Sequence, residues 1–511
     1  MNLFNRQFRI TLLLLVLLEE LSFLGYLLPA ANGLIFWLIA AVSLGLAIWR
    51  LECAVWLVLV ELLVGSKGYL FFSDVFGARI SIRIALWSIV MLVWLITTLA
   101  SLIREKNFVF KTKNFISSLK TGERRSLTLL ALFILWAFIN GLVISHNGST
   151  DTFLDFNGWL FFLLIFPAAS VLRKRENLEN LMPLLAAAAI WLAIKTFFLA
   201  FIFSHYTMDT AAFRLYRWVR VSGVGEITQV KGGFFRIFFQ SQIYTLISFF
   251  LLCATLTKLV IGTKFSLLWH EKKFWLILCG LSVFLAVVLF SMSRSFWLGL
   301  LAGLLLLLPY IYLEAKKLGQ NFLKKLSAVV FVFFTALIFS VAIVVGTVTF
   351  PVPPAIGGFD TDSLLNSRFD SDEAAVVSRW ELLPKLWQKI TASPILGFGF
   401  GTNLTYKSSD PRQLLSPNKG IFTTYTFEWG WLDVWLKLGF FGCAVYLLLL
   451  YQLAKNTLRN QAVAELSVFP AYGLFIALIA LTVINFFTPY LNHPLGIGYL
   501  IFLFSINQTE S

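Results

Sequence analysis

Charge is what this chain has least of. Only 13% of its 511 residues are Asp, Glu, Lys or Arg, against 59% hydrophobic ones, and the mean hydropathy is +0.83. That is too little charge to coat a soluble domain and too much apolar surface to bury inside one. Cysteine is scarce too. Cys53, Cys253, Cys279 and Cys443 all fall within apolar stretches, with neither metal-type spacing nor a loop pair suited to a disulfide, so they read as small buried apolar residues. The histidines His146, His205, His270 and His493 are scattered and suggest no metal site. The chain lacks a sequence repeat of roughly 20–50 residues and any low-complexity tract. Its glycine-rich run is not followed by Gly-Lys-Ser/Thr, which excludes a nucleotide-binding P-loop.

What is present is a succession of apolar stretches near the ~20 residues needed to span a bilayer. They lie at about 9–29, 33–49, 52–70, 83–103, 127–145, 153–171, 183–203, 237–259, 274–292, 295–313, 326–350, 430–453, 466–487 and 491–506. The third and last are short, so the expectation is an all-α, polytopic transmembrane helical bundle of about twelve to fourteen spans. Isolated spans must satisfy their own backbone groups in lipid, which leaves helices. The first run is long, carries Glu19 and Glu20 and leads into further spans, unlike a secretory signal peptide.

Basic residues occupy alternate connections: Arg6 and Arg9, Arg50, Lys106 to Arg125, Arg173 to Arg175, Lys264 to Lys273, Lys316 to Lys325, and Lys455 with Arg459. The turns "SHNGSTD" and "TPYLNHP" between them have none. The positive-inside rule makes the basic set cytoplasmic and puts both termini inside. The net charge of +15 then reflects topology and attraction to anionic lipid, and no nucleic-acid partner is implied.

Three outer connections nevertheless carry cations: 204–236, the turn "SMSRS" at 291–295, and the long segment 351–429. Long translocated loops tolerate such charges. "RLYRWVR" puts Arg214, Arg217 and Arg220 three apart, as on an interfacial helix anchored by snorkelling arginines. Arg236 stands where an apolar span begins, followed by Gln240 and Gln242, and an arginine at that depth needs a partner or a wet cavity. Arg294 is the sole charge in a serine-rich turn and can hold two phosphate oxygens in its planar fork. In the long segment Val377, Trp380, Leu383 and Trp387 recur at helical spacing, predicting an amphipathic surface helix that carries Arg379. "SPILGFGFG" follows, where Gly397, Gly399 and Gly401 could let backbone N–H groups approach a ligand. Glu19, Glu20, Glu61 and Lys195 lie inside early spans, either as working groups or as mutual ion pairs. Glu428 and Asp433 head the span at 430–453, with Lys437 four residues beyond Asp433 as a ready partner.

The order of these features resembles the O-antigen ligase and O-antigen polymerase superfamily, which includes bacterial O-oligosaccharyltransferase-like enzymes. The resemblance runs over roughly 214–450: an outer arginine at a span entrance, an "S-x-S-R-S" turn, a long loop with "R-W…SP-I-L-G-x-G-x-G", and the span "E-W-G-W-L…K-L-G-F-F-G". It implies a type C glycosyltransferase-like bundle divided into N-terminal spans (1–203), central spans with ligase-like arginines (204–350), a large extracytoplasmic loop (351–429) and C-terminal spans (430–511). It implies transfer, without metal or other cofactor, of a glycan from undecaprenyl pyrophosphate to an acceptor hydroxyl on a lipid A-core sugar, growing polysaccharide or protein. The setting is the outer face of a bacterial cytoplasmic membrane, with membrane lipid as the further partner. By motif, Arg236, Arg294 and Arg379 are the pyrophosphate-binding arginines, with Arg220 a rival for Arg236. Relatives commonly carry a His-Asn pair eleven residues before the glycines matching Gly439 and Gly442. That slot holds Glu428 here, which makes Glu428 the prospective base and Asp433 its alternative. A transporter or glycan flippase is the competing class, with Glu19, Glu61 and Lys195 as its working residues, although no duplicated halves are visible.

Overall fold

A computed structural model describes residues 3–75, 77–105, 121–206, 209–230, 233–351, 374–409, 414, 417, 420–459 and 470–508. The basic residues within 106–120 and the Pro/Gly-rich opening of the long loop within 352–373 lie outside the described residues. Each of the fourteen apolar stretches contains a helix. The first four are α1 (Arg6–Leu27), α2 (Pro29–Trp49), α3 (Leu51–Val64) and α4 (Ile82–Glu105). Next come α5 (Thr121–Ile139), which runs on into a wide π turn at Asn140–Ile144, and α6 (Ser149–Leu160), which continues through a 3-10 turn into α7 (Ile165–Leu172). They are followed by α8 (Arg175–His205), the surface helix α9 (Thr210–Val221), α10 (Ile243–Gly262), α11 (Lys272–Ser291), α12 (Arg294–Lys317) and α13 (Phe322–Thr349). The loop helix α14 (Ala374–Ala392) precedes α15 (Gly430–Arg459), α16 (Ala471–Ile484) and α17 (Pro494–Asn507).

Eleven helical segments are long and apolar enough to cross a membrane, so the chain is an all-α polytopic membrane protein. Helices start where side chains can take up their free N–H groups: Asn5 accepts from Phe8, Asp209 from Ala211 and Ala212, and Asn321 from Lys324. Leu13, Leu34, Ile48 and Ile103 project outward, as expected where the solvent is lipid. The remaining three bundle helices, α3, α16 and α17, have 14 residues each. At 1.5 Å per residue that is ~21 Å, short of the ~30 Å hydrocarbon layer. They are packed inside the bundle against α8, α12 and α7 respectively.

Alternate connections gather at the same end, as the alternation of charge requires. At the basic end Lys325 donates to the carbonyls of Val260 (3.0 Å) and Thr263 (3.3 Å). There Glu123 also accepts from Asn456 (2.6 Å), Asn507 (3.2 Å) and Gln508 (3.0 Å), tying α5, α15 and α17 together. The other end carries three short antiparallel hairpins that no sequence pattern announced: β1 (Phe72–Val75) with β2 (Ala78–Ser81), β3 (Glu226–Gln229) with β4 (Phe235–Phe238), and β5 (Leu404–Lys407) with β6 (Ile421–Thr424). We call it the hairpin end.

Of the ionisable groups expected inside the early spans, Glu19, Glu61 and Lys195 are in closed pairs, while Glu20 is exposed. Lys195 Nζ meets Glu19 Oε1 at 2.5 Å, with both side chains buried. Arg83 grips both oxygens of Glu61, at 2.7 and 3.0 Å. The cysteines are all free, and Cys279 faces outward, because its position on α11 points away from the core.

Candidate functional site

The glycine-rich segment after α14 is a strap, inserted between two interrupted helices. Helix α15 breaks at Gly439, whose φ of 73° and ψ of 176° are non-helical. The break frees the carbonyls of Leu436 and Lys437, and the strap fills them: Phe398 N donates to Leu436 O (2.8 Å) and Gly399 N to Lys437 O (3.1 Å). On its other side Phe400 N donates to Ala137 O (3.0 Å), beside the π turn that ends α5. Asn140 and Asn147 clamp the strap's carbonyls, the latter reaching both Phe398 O and Phe400 O at 2.9 Å. Gly397, Gly399 and Gly401 all have positive φ, and a Cβ on any of them would collide with backbone. The expectation that this run offers N–H groups to a ligand is therefore corrected: its amides are consumed by the protein, and the glycines permit close backbone packing.

The strap also positions a charged triad. Lys437, fully buried on α15, meets Asp433 Oδ1 at 2.5 Å and Asp155 Oδ1 on α6 at 2.7 Å. Asp155 Oδ2 accepts from Gly401 N (2.9 Å), and Asp433 Oδ2 accepts from Asn492 Nδ2 (2.7 Å). Asp433 thus pairs with its i+4 lysine. Above the triad, partial burial and the nearby carboxylates of Asp155 and Asp151 push the Tyr425 phenol upward. His493 keeps solvent-accessible surface although protein atoms crowd its ring. Burial, Lys437 and Lys67 together lower its pKa to about 4, so its imidazole is neutral at pH 7.

Arg379 and Glu428 form an ion pair. Arg379 rides on α14, whose inward face is Leu382, Leu386 and Ile390 packed on Phe427 and Leu436. The stripe expected from sequence was Val377, Trp380, Leu383 and Trp387; the helix exists, but Trp380 and Trp387 are exposed. Their spacing is equally helical, and the loop's own small core selects the aliphatic face. The Trp429 indole donates to Arg379 O at 3.0 Å and fixes the backbone beside the pair.

Arg236 lies on strand β4, half-buried, just before the candidate span Gln240–Gly262. Its Nε donates to Ser291 O at 2.8 Å, which brings it to the serine-rich turn. In that turn Arg294 is the first residue of α12, where the helix dipole also favours an anion. Ser293 and Ser295 share a hydrogen bond (3.0 Å), and Thr488 donates to Ser295 (3.0 Å). Arg220 stands apart on the exposed side of α9, over the Tyr216 ring at 5.5 Å.

The connection 485–493 is what these groups share. Thr488 touches the arginine turn, and Arg236 lies near enough to Tyr490 to oppose the upward push of burial on its phenol. Phe487 packs on Trp429 (5.5 Å), next to Glu428. Asn492 holds Asp433, and Lys437 acts on His493. Cationic and anionic flanks thus meet at one connection. Of the sequence candidates, Arg379 and Glu428 touch each other, Arg236 reaches the turn of Arg294, and Asp433 joins Lys437. Sequence reasoning missed Asp155 and His493. For Asp155 a signal existed, two acids four apart (Asp151 and Asp155) at the start of an apolar span. For His493 there was none beyond its presence in an uncharged turn.

Comparison with known families finds that residues 277–447 match the family described as O-antigen ligase, a region that holds Arg294, Arg379, Glu428, Asp433 and Lys437. No curated protein and no solved structure matches the chain. The chain is thus a multi-pass membrane protein whose residues 277–447 are similar to the O-antigen ligase family, a family of glycosyltransferase-type enzymes.

Proposed function

From this similarity we propose that the protein transfers a glycan from undecaprenyl pyrophosphate to an acceptor hydroxyl at the outer face of the bacterial cytoplasmic membrane. The hairpin end is that outer face, since the described lysine-rich connections lie at the other end. The observation that carries the reading is the meeting of Arg236, the Arg294 turn and the Arg379–Glu428 pair around connection 485–493.

The leaving group is a pyrophosphate, so catalysis chiefly requires positive charge where negative charge accumulates, and a proton acceptor for the hydroxyl. In this reading Arg236, Arg294 and Arg379 hold the pyrophosphate. The acceptor oxygen attacks the anomeric carbon, the bond from that carbon to the phosphate oxygen breaks, and undecaprenyl pyrophosphate leaves with the electron pair. The hydroxyl proton passes to Glu428. Glu428 is engaged by Arg379; a pyrophosphate drawing Arg379 away leaves its carboxylate free to act. Asp433 is the alternative acceptor, oriented by Lys437 and Asn492. The transporter reading is disfavoured by a specific observation: Glu19, Lys195 and Glu61 are spent on closed buried pairs.

The test is reconstitution with a lipid-pyrophosphate glycan donor. Arg294→Ala is expected to lower kcat by about 10²–10³ while the protein still inserts and elutes as wild type. Undiminished transfer by that variant would sink the assignment.

A further inference from the structure

Outside the family-matched region, the hairpin end holds a cleft lined by both aromatic and polar side chains. It measures about 460 Å³ and lies between the α1–α2 elbow, the β1–β2 hairpin and the end of α9. Small-molecule sites commonly fall in the range of roughly 300–1,000 Å³. Its walls are fixed: Trp218 Nε1 donates to Ser22 Oγ (3.1 Å), Ser22 Oγ to Leu70 O (2.7 Å), and Asn32 Nδ2 to Phe72 O (2.9 Å).

Three features define what would fit. Tyr26, Tyr69 and Phe72 line the cleft, and neither tyrosine hydroxyl makes a hydrogen bond among the described residues. Asp74 and Arg79 are cross-strand partners in the β1–β2 register. Their side chains pair at 3.3 Å, with the guanidinium 4.3 Å above the Phe72 ring. The rim is therefore polar with balanced charge, which does not select an anion. It offers N–H donors, carboxylate acceptors and aromatic faces side by side. That combination suits a neutral polyhydroxylated ring: vicinal hydroxyls bind the Asp–Arg pair, while the ring's C–H face lies on an aromatic π face.

The segment "GSKGY" (65–69) leads from the cleft toward the reactive groups. Tyr69 lines the cleft and also acts on Tyr425, which feels Asp155 and Lys437. Lys67, two residues earlier, acts on His493. The segment is braced from below, since Gly68 wraps Arg83 of the buried Glu61 pair and Gln240 N donates to Ser66 Oγ (3.1 Å).

We propose that this cleft binds pyranose units of the glycan one or more sugars away from the reacting bond. The inference rests on the glycosyl-transfer reading for its substrate, while its binding step is independent of turnover. Donor and acceptor glycans share the chemistry, and kinetics distinguishes them. The variants are Tyr26→Ala and Arg79→Ala, both away from the reacting groups, with elution profile and thermal stability checked first. The expected result is an about tenfold rise in KM for a substrate bearing several sugars, with kcat unchanged and no change for a substrate bearing one. A rise confined to the donor's KM marks a donor subsite; one confined to the acceptor's KM marks an acceptor subsite. Equal loss on short and long substrates, or no change on either, overturns the proposal.

A second measurement does not depend on transfer. The probe is the oligosaccharide released by mild acid from the producing strain's own lipid-linked glycan, followed by saturation-transfer NMR on the intact protein. Signal with the wild type that is lost in both variants supports the cleft, even if no lipid pyrophosphate proves to be a donor. No wild-type signal, or equal signal in all three proteins, overturns it.

Discussion

Two sets of buried charges sit a few helices apart and are built differently. In the N-terminal spans, Glu19 faces Lys195 and Glu61 faces Arg83, one acid to one base. At the site, one lysine serves two acids, Asp155 and Asp433, and the arginines lie on the opposite flank of connection 485–493. A closed pair cancels its own field and ties helices together. An odd-numbered cluster leaves a residual charge that only a polar environment or a ligand can balance. The difference teaches that ionisable groups inside a membrane protein should be judged by whether their charges close, and not by their burial alone.

Substitution can break or sharpen that contrast. The largest effect is expected from Lys437→Met, which leaves two buried acids facing each other. It should cost about 3–5 kcal/mol of stability and abolish transfer, both measurable on the purified protein. Adding Asp155→Asn and Asp433→Asn should restore most of the stability and none of the transfer. Recovery of activity in the triple variant would reduce the triad to another brace. Glu61→Gln is next: a loss of about 3–5 kcal/mol, because Arg83 is left buried and alone. Here Glu61→Gln with Arg83→Gln should regain both stability and turnover, and failure to regain turnover would move this pair into the machinery. Gly399→Ala should disturb the site without touching a charge. Its positive φ and the backbone beside it leave no room for a methyl group, so the strap must shift; a drop of more than ~1 kcal/mol with reduced kcat is expected. At neutral pH the smallest effect is that of His493, which emerges only on acidification. His493 is held at a pKa of about 4 against an ordinary 6.5, so the unfolded chain binds its proton first. Folding stability should therefore fall as pH drops from about 6.5 toward 4. His493→Gln should flatten that part of the melting-temperature profile; an unchanged profile would show that the imidazole is not held neutral.

How much could be read from sequence follows from the range of the interactions. The spans were legible because each is a local run, and Arg294 because a short turn needs no arginine. The carboxylate Glu428 was visible in register with Gly439, but its partner Arg379 lies 49 positions away. Asp155 and Lys437 are separated by 282 positions, and only the strap and the broken helix bring them together. Gly397, Gly399 and Gly401 announced unusual backbone without saying what approached it. The hairpins have strands of four residues, too short for an alternating pattern to stand out. The inward face of α14 could not be chosen because the Trp stripe and the Leu382, Leu386 and Ile390 stripe have the same period.

The short helices have a consequence for depth. α3 follows directly on α2 at the basic end, and α17 ends there on the Glu123 network. Their missing turns therefore fall at the hairpin end, where the connections 65–71 and 485–493 fill the space. A deficit of ~9 Å, from ~21 Å of helix in ~30 Å of hydrocarbon, sinks the floor of the site below the level of the lipid headgroups. Dissolved ions screen poorly at that depth. Raising ionic strength should thus weaken encounters at the exposed rim while leaving the interactions of the Lys437 triad almost untouched.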